Sequence, residues 1–266
     1  MKRTVSSVLN LQVGSPSRVV LQLAVAPRPG LTVEDSLTVT AQGEARDVTA
    51  LIGQHDGISH VVDLEPGQHE VRYEATVTGV AEPYDDGLAD RLVYLLPSRY
   101  CESDRLMGTA REEFEGLTGM ELVRAVRAWV KKRTAYVVGS SRVTDSAINT
   151  FLARDGVCRD FAHLTVAMLR AREVPARLVA CYAPGLVPMD FHAVAEAYVD
   201  GQWHVVDSTG LAPRQSLLRI STGRDAVDTS FLTRFGGRST LRGMRVTALL
   251  EGNLPTDDHT SSVVMA

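Results

Sequence analysis

The chain has 266 residues, of which 44% are hydrophobic and 23% charged, a composition typical of a soluble globular protein rather than a disordered one. Its formal charge of −4, with no basic run longer than Lys131-Lys132-Arg133, excludes the strongly basic surface of a nucleic-acid-binding protein. No apolar segment has the length of a membrane span or of a signal-peptide core, so we expect a cytoplasmic protein that binds no membrane.

The first 85 residues alternate short β-forming runs with turn residues. The runs cover residues 19–25, 36–40, 57–62 and 70–77, and proline and glycine residues lie between them. Short strands at this spacing are typical of a small sandwich or barrel. We therefore expect a β-sandwich-like N-terminal domain over residues 1–85, with no helix.

Residues 86–251 carry helical as well as strand patterns, which predicts an α+β domain. The first clear helix has one apolar face at helical spacing, made of Leu122, Val123, Val126 and Val130. The polar residues 252–266 show no periodicity. We expect this C-terminal tail to be disordered.

A second helix is predicted to begin at Asp155 or Gly156 and to end before Pro175. Cys158 then lies in its first turn, where unpaired backbone N–H groups and the positive end of the helix dipole favour a thiolate. His163 is five positions further on, about 140° around the helix from Cys158, so we expect a structural role for it. The aspartate at position 160 is expected to stabilise the same N–H groups.

Two further cysteines complete the set of three, Cys101 and Cys181. An odd number without Cys-x-x-Cys spacing predicts neither a disulfide framework nor a thiolate metal site. Cys181 lies in a predicted strand over residues 176–182, and we expect both residues to be core side chains. No metal and no cofactor are expected.

Asp200-Gly201 is a strong signal for a two-residue hairpin turn between strands over residues 192–199 and 202–207. Counting outward from this turn places His192 and Asp207 on one face, diagonal to each other and about 7–8 Å apart between backbones. An imidazole and a carboxylate can close that separation, whereas His204 points to the opposite face. A thiol nucleophile needs such a histidine, held by a third polar group.

Three segments resemble the transglutaminase-like superfamily. They are residues 155–164 (DGVCRDFAHL), residues 174–177 (VPAR), and residues 191–209, in which FHAVAEAYV precedes GQWHVVDST. Residues 96–104 and 223–228 are also similar to segments that flank the core of that superfamily. Its members share a papain-like core with a catalytic cysteine, and the chain resembles a bacterial branch, described as cysteine proteases, in which a β-rich region precedes this core.

By this resemblance, Cys158 is the nucleophile, His192 the general base and acid, and Asp207 the residue that orients the histidine. The hairpin count reaches the same histidine and aspartate from the residues alone. Tyr136 is a candidate oxyanion donor by resemblance, beside the generic candidate, the backbone N–H of Cys158. Val194 stands where many relatives have a tryptophan, so it marks a difference in the wall of the pocket.

Asp225 and Asp228 are further candidates for substrate binding. They lie in a predicted loop and either line the mouth of the cleft or, as is more frequent for loop aspartates, cap turns.

These residues predict acyl transfer at an amide carbonyl through a thioester, with a peptide or protein amide as substrate. Resolution by water gives a peptidase or amidase, which the bacterial resemblance favours, and resolution by an amine acceptor gives a transglutaminase. The residues leave both outcomes open, as they do the oligomeric state. An alternative of another class is a non-catalytic module that binds a protein or peptide on the same fold.

Overall fold

The computed structural model describes residues 1–83 and 87–265, which form a two-sheet β-sandwich and a core in which helices pack on a four-stranded sheet. The predicted α+β class is confirmed. The predicted domain boundary between residues 85 and 86 lies outside the described residues.

The regular elements follow one another along the chain. The strands are β1 Lys2–Ser15, β2 Ser17–Leu21, β3 Leu31–Ala41, β4 Glu44–Ala45, β5 Thr49–Ile52, β6 Ile58–Leu64, β7 Gly67–Gly79, β8 Ala135–Tyr136, β9 Asp155–Gly156, β10 Ala176–Tyr182, β11 Phe191–Val199, β12 Gln202–Val206, β13 Leu218–Gly223, β14 Leu232–Phe235 and β15 Arg238–Leu250. The helices are α1 Gly87–Val93, α2 Ser103–Glu113, α3 Gly119–Arg133, α4 Ala147–Ala153 and α5 Cys158–Ala171, with short 3₁₀ turns at Gln54–Asp56 and Arg214–Ser216.

The sandwich consists of a sheet in the order β15-β1-β7-β3-β4 and a second sheet in the order β14-β2-β6-β5. Every second side chain of β1 is buried from position 3 to position 13, as the two-residue period of a strand requires. Leu9 and Val13 of β1 share one hydrophobic cluster with Val19 and Leu21 of β2. The N-terminal sandwich predicted from the sequence is therefore present.

The sandwich is completed by the C-terminal part of the chain, which corrects the predicted domain limits. β14 pairs with β2, and β15 pairs with β1 along almost its whole length, from Arg3 opposite Leu250 to Ser15 opposite Arg238. Residues 232–250 were expected to belong to the second domain. They belong to the sandwich, because β1 and β2 would otherwise leave long unpaired edges.

The core sheet has the order β12-β11-β10-β13, and all its neighbours are antiparallel. α5 packs on β10 and β11 and is surrounded by α2, α3 and α4. Every residue of α5 from Asp160 to Ala171 is buried, so this helix is held on all sides. A side chain at its first residue is therefore mounted on a rigid element.

The expectation of a disordered tail is wrong for its described part. Asp257 accepts hydrogen bonds from the guanidinium of Arg214, and the backbone N–H of Val205 donates to the carbonyl of Val263 at 2.7 Å. Met265 is buried against the outer face of the core sheet, with Val194 and Val205. A few long-range contacts thus order a segment that has no local periodicity.

None of the described helices is both long and apolar enough to cross a membrane.

Candidate active site

Cys158 is the first residue of α5, directly after the short strand β9. The side chain of Asp160 folds back so that its Oδ2 accepts a hydrogen bond from the Val157 N–H at 2.9 Å. A Cβ at position 156 would lie 2.7 Å from the Cβ of Asp160, so glycine is required there for this close approach. Gly156 and Asp160 together fix the start of the helix that presents the thiol.

Tyr136 lies beside the thiol because β8 pairs in parallel with β9, which places Tyr136 opposite Gly156. Burial and the neighbouring Cys158 sulfur raise the pKa of Tyr136 to about 12, against the opposing effect of a hydrogen bond from the Cys158 backbone. The phenol is therefore close to both the thiol and the first N–H of α5. When a thiol attacks a substrate carbonyl, the oxyanion would develop between these two groups, the thiol and the N–H.

The histidine and the carboxylate come from one hairpin, as predicted. Val199 pairs with Gln202 and Ala195 with Val206, which is the predicted register, and the turn residues Asp200 and Gly201 have the positive φ angles of 50° and 82° that such a turn requires. His192 lies near the start of β11, and Asp207 directly follows β12.

His192 and Asp207 form a buried pair, in which Nε2 of the imidazole lies 3.2 Å from Oδ2 of the carboxylate. Each residue is only 1% exposed. The other carboxylate oxygen, Oδ1, accepts hydrogen bonds from the backbone N–H and the hydroxyl of Thr209 at 2.8 and 2.7 Å. Arg127 also donates to the backbone carbonyl of Asp207, so the carboxylate cannot rotate away from the ring.

The charges of this pair support each other. Burial by itself would lower the pKa of His192, but the Asp207 carboxylate and the Cys158 sulfur outweigh it and raise that pKa. Burial would likewise raise the pKa of Asp207, but His192 and the hydrogen bonds from Thr209 lower it to about 2. The structure thus favours an imidazolium next to a carboxylate.

The second ring nitrogen of His192 is left for the thiol. Nδ1 is buried and makes no hydrogen bond to an oxygen or nitrogen atom of the described residues. Cys158 contributes to the raised pKa of the ring, and its Sγ lies 4.0 Å from the Phe191 carbonyl oxygen, one residue before His192. Because Asp207 holds Nε2, Nδ1 is the ring nitrogen that remains for proton exchange with a thiol.

The remaining sequence candidates lie elsewhere. Val194 is buried in a cluster with Val179, Cys181 and Val205 rather than in an open pocket wall. Side chains alternate along β11, so Val194 lies on the same face as His192, and Ala195 and Ala197 on the other face cluster with the side chains of α5.

Asp225 and Asp228 cap turns in the loop after β13. Asp225 is buried and accepts hydrogen bonds from the backbone N–H groups of Tyr100 and Val227, and Asp228 binds the backbone and guanidinium of Arg224. None of these contacts is with Cys158, His192 or Asp207. Of the two interpretations given to these residues, the structure shows turn capping.

The other histidine and cysteines near α5 have structural contacts. His163 is fully buried, stacks on Tyr100 and accepts a hydrogen bond from the Ala226 N–H. Cys101 and Cys181 are both 0% exposed, and burial raises the pKa of each thiol. Cys158 differs from both in its exposure, because it is partly exposed at the start of its helix.

Sequence reasoning missed Asp190, which lies two residues before His192. Its Oδ1 accepts a hydrogen bond from the Phe191 N–H at 2.7 Å, and its charge acts on both His192 and Tyr136. An aspartate in a loop has no periodicity to mark it, so only its place in the folded cleft identifies it. Within residues 1–83 and 87–265, no three His, Cys, Asp or Glu side chains are grouped as metal ligands.

Comparison with known proteins agrees with this geometry. The family model of the transglutaminase-like superfamily matches residues 105–208. The crystal structure of a protein named a "putative cysteine protease" from Cytophaga hutchinsonii is 31% identical and superimposes with a TM-score of 0.89, covering 98% of this chain and 95% of that one. The chain belongs to the transglutaminase-like superfamily.

Curated relatives match over a shorter region. An uncharacterized protein of Mycobacterium leprae is 28% identical over 116 residues, which is 41% of this chain and 42% of that protein. One of Mycobacterium bovis is 29% identical over 128 residues, which is 41% of this chain and 40% of that protein. The chain thus spans about two fifths of the length of these curated relatives.

Proposed function

We propose that this protein is a cysteine-dependent enzyme that transfers an acyl group from an amide, and that water is its normal acceptor, which makes it a peptidase or amidase. The observation that carries the proposal is the buried His192–Asp207 pair, which leaves Nδ1 of the ring without a hydrogen-bond partner among the described residues and whose histidine pKa is raised by Asp207 and by the sulfur of Cys158 at a helix N-terminus. The name of the Cytophaga hutchinsonii protein supports hydrolysis over transfer to an amine.

In the proposed reaction, the Cys158 thiolate attacks the amide carbonyl carbon, and the negative charge moves to the carbonyl oxygen. The proposed donors to that oxygen are the backbone N–H of Cys158 and the Tyr136 hydroxyl, which lie next to each other. The imidazolium of His192 then donates its Nδ1 proton to the leaving nitrogen as the C–N bond breaks, and a thioester remains.

In the second half of the reaction, neutral His192 takes a proton from water, and the resulting hydroxide attacks the thioester. The carboxylic acid leaves, and the Cys158 thiolate returns with His192 as its imidazolium partner. Asp207 keeps the ring in one orientation throughout, because both of its oxygens are held. An amine in place of water gives transamidation by the same steps.

The first test is the pH dependence of iodoacetamide labelling at Cys158, read by peptide mass spectrometry. We expect rapid labelling that persists well below the ordinary thiol pKa of about 8.5, and loss of that labelling in His192→Ala. Cys101 and Cys181 are internal controls, because both are buried and must stay unlabelled in the folded protein.

Slow labelling with an ordinary pH profile in both proteins would contradict the proposal and favour a non-catalytic binding module. If the thiolate is present, peptide amides are then incubated with and without an alkylamine. Release of the free acid in both samples supports hydrolysis, and an amine-substituted product supports transamidation.

A further inference from the structure

Asp190 carries a negative charge next to the residues that surround the Cys158 thiol. It immediately precedes Phe191, whose carbonyl oxygen lies 4.0 Å from Sγ of Cys158, and its charge acts on His192 and Tyr136. The residue is exposed overall, although its carboxyl group is partly shielded by the cleft. Asp190 is thus a solvent-exposed carboxylate next to Phe191, whereas Asp207 is buried and paired with the imidazole.

No basic side chain neutralises this carboxylate. Among residues 1–83 and 87–265, Asp190 has no lysine or arginine within ion-pair distance, and its one hydrogen bond comes from the Phe191 N–H. Partial burial raises the pKa of Asp190, against the opposing effects of Phe191 and His192. Asp228, which is also partly shielded, is by contrast paired with Arg224.

Exposed apolar side chains lie on the segment that contains Asp190 and on the segment that begins with Tyr136. Val187 is 83% exposed and Met189 is 41% exposed on its own segment, and Val137 and Val138 are exposed on the segment that begins with Tyr136. These two segments meet at the thiol, through Phe191 on one side and Tyr136 on the other. An aliphatic chain that ends in a positive charge matches this arrangement, because its methylene groups contact the apolar rim while its charge reaches Asp190.

We propose that Asp190 is a specificity-determining residue that binds an ammonium or guanidinium group carried by the substrate next to the reacting amide. The proposal rests on the proposed acyl-transfer function, because it assigns the substrate class of that same cleft. The cation belongs either to the amide donor, as a lysine- or arginine-like side chain, or to an amine acceptor that has a second amino group.

The closing experiment measures charge selection at Cys158 without requiring turnover of any amide. Cys158 is modified with 2-aminoethyl methanethiosulfonate, which is cationic, and with ethyl methanethiosulfonate, its neutral analogue. We expect the ratio of the two rates to fall about five- to tenfold in Asp190→Asn, as the loss of one charge at short range predicts. Asparagine keeps an oxygen that accepts the Phe191 N–H, and any change in thiolate content cancels in the ratio.

The matched control is Asp47→Asn, which removes an exposed carboxylate in the sandwich and should leave the ratio unchanged. An equal ratio in the wild type and Asp190→Asn would overturn the proposal. If the thiolate is reactive but no amide is turned over, the proposed function fails, while the rate ratio still decides whether Asp190 selects a cation.

Where amides are turned over, kinetics with matched substrates identify the source of the cation. A lysine peptide is compared with its norleucine analogue as donor, and 1,5-diaminopentane is compared with pentylamine as acceptor. A preference for the charged compound that is lost at least fivefold in Asp190→Asn assigns the cation to the donor or to the acceptor. Unchanged preferences in both comparisons would overturn the role of Asp190 in specificity.

Discussion

Two buried ionic groups lie on one face of β11, four residues apart, and they have opposite properties. At the cleft end, His192 is paired with Asp207 through one ring nitrogen only. Further along the strand, both oxygens of Glu196 are bound by two guanidinium groups, at 2.7 Å from Arg177 and at 2.5 and 3.1 Å from Arg219.

The difference lies in how many polar atoms are left for chemistry. Burial would raise the pKa of Glu196, but the two arginines outweigh it and lower the pKa to about 2. The Glu196 group is saturated and therefore structural, whereas the His192 pair keeps one nitrogen for the Cys158 thiol. The Glu196 group and the His192–Asp207 pair both depend on rigid neighbours, and the core sheet supplies these to both.

The largest expected effect is on the reactive group. Cys158→Ala should reduce amide turnover by at least about 10³-fold, because Cys181, which lies opposite His192 in the sheet, is fully buried and has a raised pKa. Its thermal midpoint should change by less than about 2 °C, because the removed atom is partly exposed. Turnover assays and calorimetry measure the two effects, and Cys181→Ala is the control that should keep turnover. Substantial turnover by Cys158→Ala would refute the nucleophile.

Asp207→Asn should reduce turnover by about 10²–10⁴-fold, since the ring loses both its orientation and the charge that favours the imidazolium. The pKa of His192 then falls, because burial is no longer outweighed by the carboxylate. The labelling profile of Cys158 should move to higher pH. In Glu196→Gln the pH profile of Cys158 labelling should not change. Equal shifts in Asp207→Asn and Glu196→Gln would show that the two buried groups do not differ in their effect on the thiol.

Glu196→Gln should lower the free energy of unfolding by about 3–5 kcal/mol, because it leaves the buried charges of Arg177 and Arg219 without their carboxylate. Urea unfolding measures this change. The thiolate of the folded fraction should label at the wild-type rate. A loss below about 1 kcal/mol would show that the group contributes little to stability.

The two groups should also respond to pH in opposite directions. The folded pKa of Glu196 is about 2 and its ordinary value is 4.5, so its contribution to stability is complete above 4.5 and is lost as the pH falls toward 2. The folded pKa of His192 is raised, so its contribution is complete below 6.5 and is lost as the pH rises through the raised value.

This sign difference can be measured by thermal unfolding across pH. The gap in midpoint between the wild type and Glu196→Gln should shrink on acidification, and the gap for Asp207→Asn should shrink on alkalinisation. Parallel curves would mean that neither pair controls the pH dependence of stability.

The smallest expected effect is that of Tyr136→Phe, which removes one hydroxyl beside the Cys158 N–H. We expect turnover to fall about three- to tenfold, with iodoacetamide labelling unchanged, since the hydroxyl would act on the oxyanion rather than on the thiolate. Tyr100→Phe is the control, because its hydroxyl bonds to the Val143 carbonyl. Unchanged turnover in Tyr136→Phe would leave the backbone N–H as the sole proposed donor.

Local patterns in the sequence determined the start of α5 to within a few residues, the strand Ala176–Tyr182 and the register of the hairpin that carries His192 and Asp207. These features depend on a helical period, a proline stop and a two-residue turn, all of which act over short distances along the chain. The choice of His192 over His163 also followed from local geometry. The catalytic roles of these residues stay a prediction until the labelling experiments are done.

Only the tertiary structure decided the limits of the sandwich, the order of the tail and the surroundings of the thiol. β15 pairs with β1 across more than 220 residues of sequence, and the ordered tail depends on an ion pair between Asp257 and Arg214. Asp190 and Tyr136 meet at Cys158 although they are far apart in the chain. Such contacts follow from packing and pairing between distant segments. The local periodicity of a segment does not indicate which distant segment it will contact.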